Sequence, residues 1–171
     1  MRAIFLILCS VLLNGCLGMP ESVKPVSDFE LNNYLGKWYE VARLDHSFEK
    51  GLSQVTAEYR VRNDGGISVL NRGYSEEKGE WKEAEGKAYF VNGSTDGYLK
   101  VSFFGPFYGS YVVFELDREN YSYAFMSGPN TEYLWLLSRT PTVERGILDK
   151  FIEMSKERGF DTNRLIYVQQ Q

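Results

Sequence analysis

Tyr34-Leu35-Gly36-Lys37-Trp38-Tyr39-Glu40 opens the first strand-like segment of the chain and sets a glycine two residues before a tryptophan. Side chains alternate faces along a strand, so Gly36 and Trp38 point the same way. A residue without a side chain beside the largest one predicts backbone passing close beneath a packed indole. Ordinary core packing explains the pair equally well. The rest of the sequence decides what the pair means.

Downstream the chain becomes a series of short strands, each about ten residues from the next. Gly36 to Arg43 is the first, and a loop from Leu44 to Ser53 carries His46, Phe48 and Gly51. Gln54 to Arg62 alternates Val55, Ala57, Tyr59 and Val61 with polar residues, the pattern of a half-buried strand. Asn63-Asp64-Gly65-Gly66 tolerates positive φ and predicts a hairpin to a strand over Ile67 to Tyr74. Trp81 to Val91 follows, with Gly86 as an expected bend or bulge. Tyr98 to Phe104, Ser110 to Leu116, Tyr121 to Ser127 and Tyr133 to Ser138 complete eight strands, with an aromatic turn at Gly105 to Gly109.

The period then changes. Val143, Ile147, Leu148, Phe151, Ile152 and Ser155 recur at helical spacing, Pro141 or Thr142 suits a first turn, and Gly159 suits the C′ position. Leu165 to Val168 predicts a short closing strand, and Gln169 to Gln171 a tail. Before the first strand, Asp28 to Leu35 predicts a helical turn with Asp28 as N-cap. The expected fold is all-β: an eight-stranded up-and-down antiparallel β-barrel with one C-terminal α-helix on its outside and a short final strand. The interior of such a barrel is filled or holds one small ligand.

At 171 residues the chain suits one folded domain. Aromatic residues make up 15% of it and charged residues 25%, which argues against disorder. The formal net charge is −4 and no Lys/Arg cluster occurs, so nucleic acid is not an expected partner. One histidine, His46, leaves little material for metal or His-based catalysis; no cofactor is expected. Arg2 followed by the apolar run Ala3 to Leu13, too short to span a bilayer, marks residues 1–15 as a signal peptide. Residues 16–27 follow as an anchor and a Pro-containing tether, and residues 28–171 as the folded domain.

Leu13-Asn14-Gly15-Cys16 resembles the bacterial lipobox, although Asn14 departs from the usual small residue. That resemblance implies cleavage before Cys16, lipidation of Cys16 and attachment to a membrane. Leu17-Gly18, with no aspartate after the cysteine, implies sorting to the outer membrane, with the domain facing the periplasm. A plain secretory peptide that happens to hold a cysteine is the alternative.

Three separated motifs after Ser27 resemble the lipocalin family: Gly36-x-Trp38, the turn Leu116-Asp117-Arg118-Glu119-Asn120-Tyr121, and Leu137-Ser138-Arg139-Thr140-Pro141. Tyr39-Glu40-Val41-Ala42-Arg43, Lys100 to Gly109 and Tyr133-Leu134-Trp135 are similar to the bacterial outer-membrane lipocalins. Lys37 stands where the family usually has threonine. The resemblance implies a structural plug of Gly36, Trp38 and Arg139, with the arginine laid across the indole. A desolvated cation in that position contributes about 1–2 kcal/mol.

Ligand residues would point inward. Strand parity and aromatic content nominate Tyr59, Phe90, Phe103, Tyr108, Tyr111, Val113, Trp135 and Leu137 as barrel lining; each alone is equally explained as core. Arg43, Arg72, Tyr74 and Tyr108 are the candidates for a head-group contact. The resemblance implies a fatty acid or lysophospholipid as ligand, bound without catalysis. Asp45-His46-Ser47 holds the triad residue types, but sequence neighbours cannot converge in triad geometry. The expected function is an anchored lipocalin that stores or transports lipid in the cell envelope, as a monomer or weak homodimer. An interaction lipoprotein with a filled barrel is the alternative, and a lipid-modifying enzyme a more distant one.

Overall fold

The computed structural model describes residues 17–170; the expected signal peptide and Cys16 lie outside the described residues. A short helix α1 (Leu31–Tyr34) precedes eight strands: β1 (Gly36–Leu44), β2 (Leu52–Val61), β3 (Ile67–Ser75), β4 (Glu80–Phe90), β5 (Tyr98–Phe104), β6 (Phe107–Leu116), β7 (Tyr123–Ser127) and β8 (Leu134–Ser138). Helix α2 (Arg145–Glu157) and strand β9 (Leu165–Tyr167) follow. Every neighbouring pair is antiparallel, in the order β2-β3-β4-β5-β6-β7-β8-β1-β9, and β1 also pairs with β2 to close the barrel. The loops 45–51, 76–79, 105–106 and 128–133 ring one end, and α1 crosses the other.

Alternation sorts the apolar residues into two clusters. Inside the barrel lie Phe29, Tyr34, Trp38, Tyr59, Val69, Leu99, Val113 and their neighbours. Outside, Leu44, Val112, Phe114, Phe125, Leu134 and Leu136 pack against Ile147, Leu148 and Phe151 of α2. The apolar stripe of the helix is thus spent on the barrel wall. Its C-terminus ends as the glycine predicts: Gly159 has φ +84°, Gly159 N donates to Lys156 O, and Phe160 N donates to Ser155 O. The N-terminus begins later than Pro141 or Thr142, at Arg145, with Glu144 in the cap position and no side-chain cap bond.

Several local expectations are corrected. Asp28 adopts φ 53° and is not the N-cap of α1; Glu30 holds that position. Gly86 is not a bulge, because β3 and β4 pair without a break from Ile67↔Ala88 to Ser75↔Glu80. A Cβ there would sit 2.8 Å from the Phe103 ring and 2.9 Å from Ser102 O, so the glycine makes room for an inward phenylalanine. At Gly36 the reason for glycine is its φ of +94°; a Cβ would meet only Arg139 Nη1, at an ordinary 3.6 Å. Val61, in the inward parity class of its strand, is 59% exposed at the strand's end.

Neither end segment hangs free. The expected tether packs along the wall: Gly18 N donates to Ser110 Oγ, Val23 and Val26 are buried, and Val26 N donates to Val113 O. The expected C-terminal tail bridges the barrel wall. β1 leaves β2 after Tyr39↔Thr56, and β9 takes over the partnership at Ala42–Leu44. Gln54 N donates to Gln169 O, and Gln170 Nε2 donates to both Glu40 O and Val55 O, the carbonyls exposed by the split.

Candidate functional site

The closed end is filled. Trp38 is fully buried, its Nε1 donates to Tyr34 O at 2.8 Å, and the Arg139 guanidinium lies 3.9 Å from the centre of its ring. Arg139 also donates to four main-chain carbonyls: Asn33 O (2.7 Å), Leu35 O (2.9 Å), Lys37 O (2.9 Å) and Tyr121 O (3.2 Å). Desolvation by burial lowers its pKa, and the nearby tyrosines oppose this. Lys37 thus supplies a carbonyl, which any residue has. Its side chain is exposed, with Nζ over the Tyr39 ring at 4.6 Å, so nothing at this position demands threonine. The turn before β7 is held by Asp117, which accepts from Glu119 N, Asn120 N and the Ser122 hydroxyl. The Ser122 bond, above all, lowers the Asp117 pKa.

Above the plug three tyrosines cross the barrel. Tyr111 Oη lies 2.6 Å from Tyr34 Oη and 2.7 Å from Tyr59 Oη. Burial raises all three phenol pKa values, so the chain is neutral. It divides the interior. Beneath it remains a void of about 10 Å³, and above it an apolar cavity of about 90 Å³ leads to the open end.

The structure brings five of the eight nominated lining residues to that cavity: Tyr59, Phe103, Tyr111, Trp135 and Leu137. Phe90 and Val113 lie inside the barrel but below it, in the closed-end core, where Phe90 meets the Phe29 ring edge-on at 6.0 Å. Tyr108 is outside. β6 runs unbroken from Phe107 past Val112, so Tyr108 shares a face with outward Val112 and packs against Tyr89 and Lys100. The register shift falls where Val101↔Gly109 gives way to Phe104↔Phe107, with its extra residue on β5, and does not turn Tyr108 inward.

The head-group candidates are likewise committed elsewhere. Arg72 lies 4.0 Å over the Trp81 ring on the outer face, where Tyr74 meets the same indole at 5.4 Å. Arg43 is buried, donating to Glu40 Oε1 (2.7 Å) and Glu49 O (2.9 Å).

The polar groups of the cavity are ones the nominations omitted. Glu40, Glu49 and Asn71 line it, Glu40 with only 3% exposure. The parity rule would have found Glu40, two residues beyond inward Trp38, and Asn71, two beyond inward Val69. Burial holds the Glu40 carboxyl well above the carboxylate range; the charge of Glu49 adds to this and Arg43 offsets part of it. The buried Asn71 Oδ1 has no hydrogen-bond partner among the described residues. At the mouth, Trp135 Nε1 donates to Glu49 Oε2, and His46 stacks on Phe48 at 3.9 Å. His46 Nε2 lies 2.9 Å from Glu49 Oε2, near enough for an ion pair but not aligned for a hydrogen bond. Asp45, His46 and Ser47 form no triad: His46 pairs with Glu49 instead. No group of metal-ligating residues occurs among the described residues.

A family model described as a lipocalin-like domain matches residues 29–170. Over its full 171 residues the chain is 99% identical to the outer membrane lipoprotein Blc of Vibrio cholerae, covering 100% of both proteins. It is 50% identical to the outer membrane lipoprotein Blc of Escherichia coli K12 over 151 residues, which is 88% of this chain and 85% of that protein. Among solved structures, insecticyanin of the tobacco hornworm Manduca sexta superposes with a TM-score of 0.70 over 87% of this chain and 85% of its own, at 23% identity; that likeness speaks for the fold alone.

Proposed function

The chain belongs to the lipocalin family, and from that premise we propose that it is an outer-membrane-anchored binding protein that takes one amphiphile, a lysophospholipid or a fatty acid, into its barrel for storage or transport. Full-length likeness to named outer membrane lipoproteins supports the location, and Cys16 is the residue proposed to carry the anchor. The observation that carries the binding reading is the unfilled apolar cavity above the tyrosine chain. The closed half of the barrel keeps a void of only about 10 Å³ while the open half keeps about 90 Å³, which favours binding over a filled, purely structural barrel.

At about 90 Å³ the cavity is small beside the 300–1,000 Å³ usual for ligand pockets. It suits the inner part of an acyl chain, and the remainder of the amphiphile extends past Phe48 and Trp135 at the mouth. Each methylene taken from water contributes about 0.8 kcal/mol. Burial disfavours ionisation of Glu40, and Arg43 is already engaged, so among the described residues the lining offers an incoming carboxylate no free cation. The head group therefore stays at the mouth, which favours lysophospholipids over free fatty acids. Binding is read as non-catalytic, in keeping with a family of binding proteins.

Titration of Trp135 fluorescence with a lysophospholipid and with a free fatty acid tests this. Saturable change at one ligand per chain is expected, and tighter for the lysophospholipid. A linear, unsaturable response to both defeats the reading.

A further inference from the structure

The position of the N-terminal segment fixes how the barrel meets its membrane. Gly18 is hydrogen-bonded to Ser110 Oγ at 2.9 Å, and from there the chain runs down the wall beside β6 until Val26 bonds to Val113 O. Ser110 lies three residues from Phe107, the first residue of β6, which is about 10 Å at strand rise. Cys16 is two residues before Gly18, a reach of about 7 Å. A lipid on Cys16 is therefore tied by a two-residue link to Gly18, which is fixed on the mouth half of β6.

The same end carries the most exposed aromatic side chains. Phe104 is 80% exposed and Phe107 63%, flanking the Gly105-Pro106 tip; Phe48, on the β1–β2 loop across the mouth, is 58% exposed and also lines the cavity. Leu17, next to the anchor, is exposed too. Large apolar side chains grouped at one end mark a surface that is covered in use. The mouth loops carry both signs of charge, Lys50 and Lys78 with Glu76 and Glu77, so the contact is apolar and not driven by charge.

We propose that the mouth of the barrel faces the bilayer that holds Cys16, with Phe104 and Phe107 seated among its lipids, so that an acyl chain passes between bilayer and cavity without crossing open water. This rests on the anchoring at Cys16 proposed above. Amphipathic surfaces of this kind insert to the level of the head-group and acyl boundary.

The test uses the mature, acylated protein reconstituted in vesicles of phosphatidylethanolamine and phosphatidylglycerol, with a single spin label at Phe107→Cys or, at the closed end, at Val91→Cys. The label at 107 is expected to lose collisions with a water-soluble nickel chelate and gain them with oxygen, while the label at 91 behaves as in water. Adding Phe104→Ser to the 107-labelled chain is expected to restore nickel collisions without changing the unfolding midpoint, because Phe104 packs on little. Protein that floats with the vesicles while position 107 remains in water overturns the orientation alone. Acylated protein that does not float overturns the anchoring and the orientation together.

Discussion

Replacing Arg139 with alanine is expected to cost about 3 kcal/mol of stability and nothing in ligand affinity. The guanidinium lies 3.9 Å from the centre of the Trp38 ring and donates to Asn33 O, Leu35 O, Lys37 O and Tyr121 O. A cation over a partly desolvated indole contributes about 1 kcal/mol. Four bonds from a charged donor would sum to about 6 kcal/mol at about 1.5 kcal/mol each, but they share one side chain at a half-exposed site, where water can replace it on the freed carbonyls; about 2 kcal/mol is a fair share for the set. With an m-value of about 2 kcal/mol per molar, the urea midpoint falls by about 1.5 M. Arg139→Lys keeps a cation near the ring but loses the planar fork that reaches the several carbonyls, and is expected to lose about 2 kcal/mol. Equilibrium urea unfolding followed by far-UV circular dichroism reads both variants, and the fluorescence titration is repeated on each. A midpoint within about 0.3 M of the parent refutes the assignment of Arg139 as a structural clamp. A folded variant with weakened binding refutes its separation from the ligand site.

Three further outcomes follow from the geometry. Ala57→Phe fills the cavity above the tyrosine chain and is expected to abolish ligand-induced fluorescence change at an overpacking cost of about 1–3 kcal/mol, read by urea unfolding. Gly36→Ala forces an alanine to φ +94° and is expected to cost about 1–3 kcal/mol from backbone conformation, since its Cβ has room; an unchanged midpoint contradicts this. Glu40 titrates above the ordinary value of 4.5 when folded, so the unfolded chain ionises first and this group's contribution to stability declines as pH rises from about 4.5 through the raised folded value. Arg43 is bonded to Glu40 and lies 3.9 Å from Asp45, and Glu49, 2.9 Å from His46, adds its charge to the site. Glu40→Gln is expected to flatten that decline in a pH series of urea midpoints, and a variant series parallel to the parent's argues against it.

The barrel is legible in the sequence because two simple regularities carry it: apolar residues at every second position, and turn residues between nearly all strands. The single helix is legible for the same kind of reason, a change of period ending in Gly159. What escapes is held by main-chain contacts that leave no side-chain pattern. The segment through Gly18, Val23 and Val26 looks like a linker until its amides find Ser110 and Val113. Gln170 looks like a tail until it joins Glu40 O and Val55 O across the split in the wall. The cavity was half legible: parity placed Tyr59, Phe103, Tyr111, Trp135 and Leu137, while reliance on aromatic character drew in Tyr108 against parity and passed over Glu40 and Asn71, which parity favoured.

Native mass spectrometry of the folded protein with one lysophospholipid tests the binding claim most directly. One lipid is expected to be retained per chain in the parent and none in Ala57→Phe. Equal retention by the two, or none by either, contradicts a binding site above the tyrosine chain.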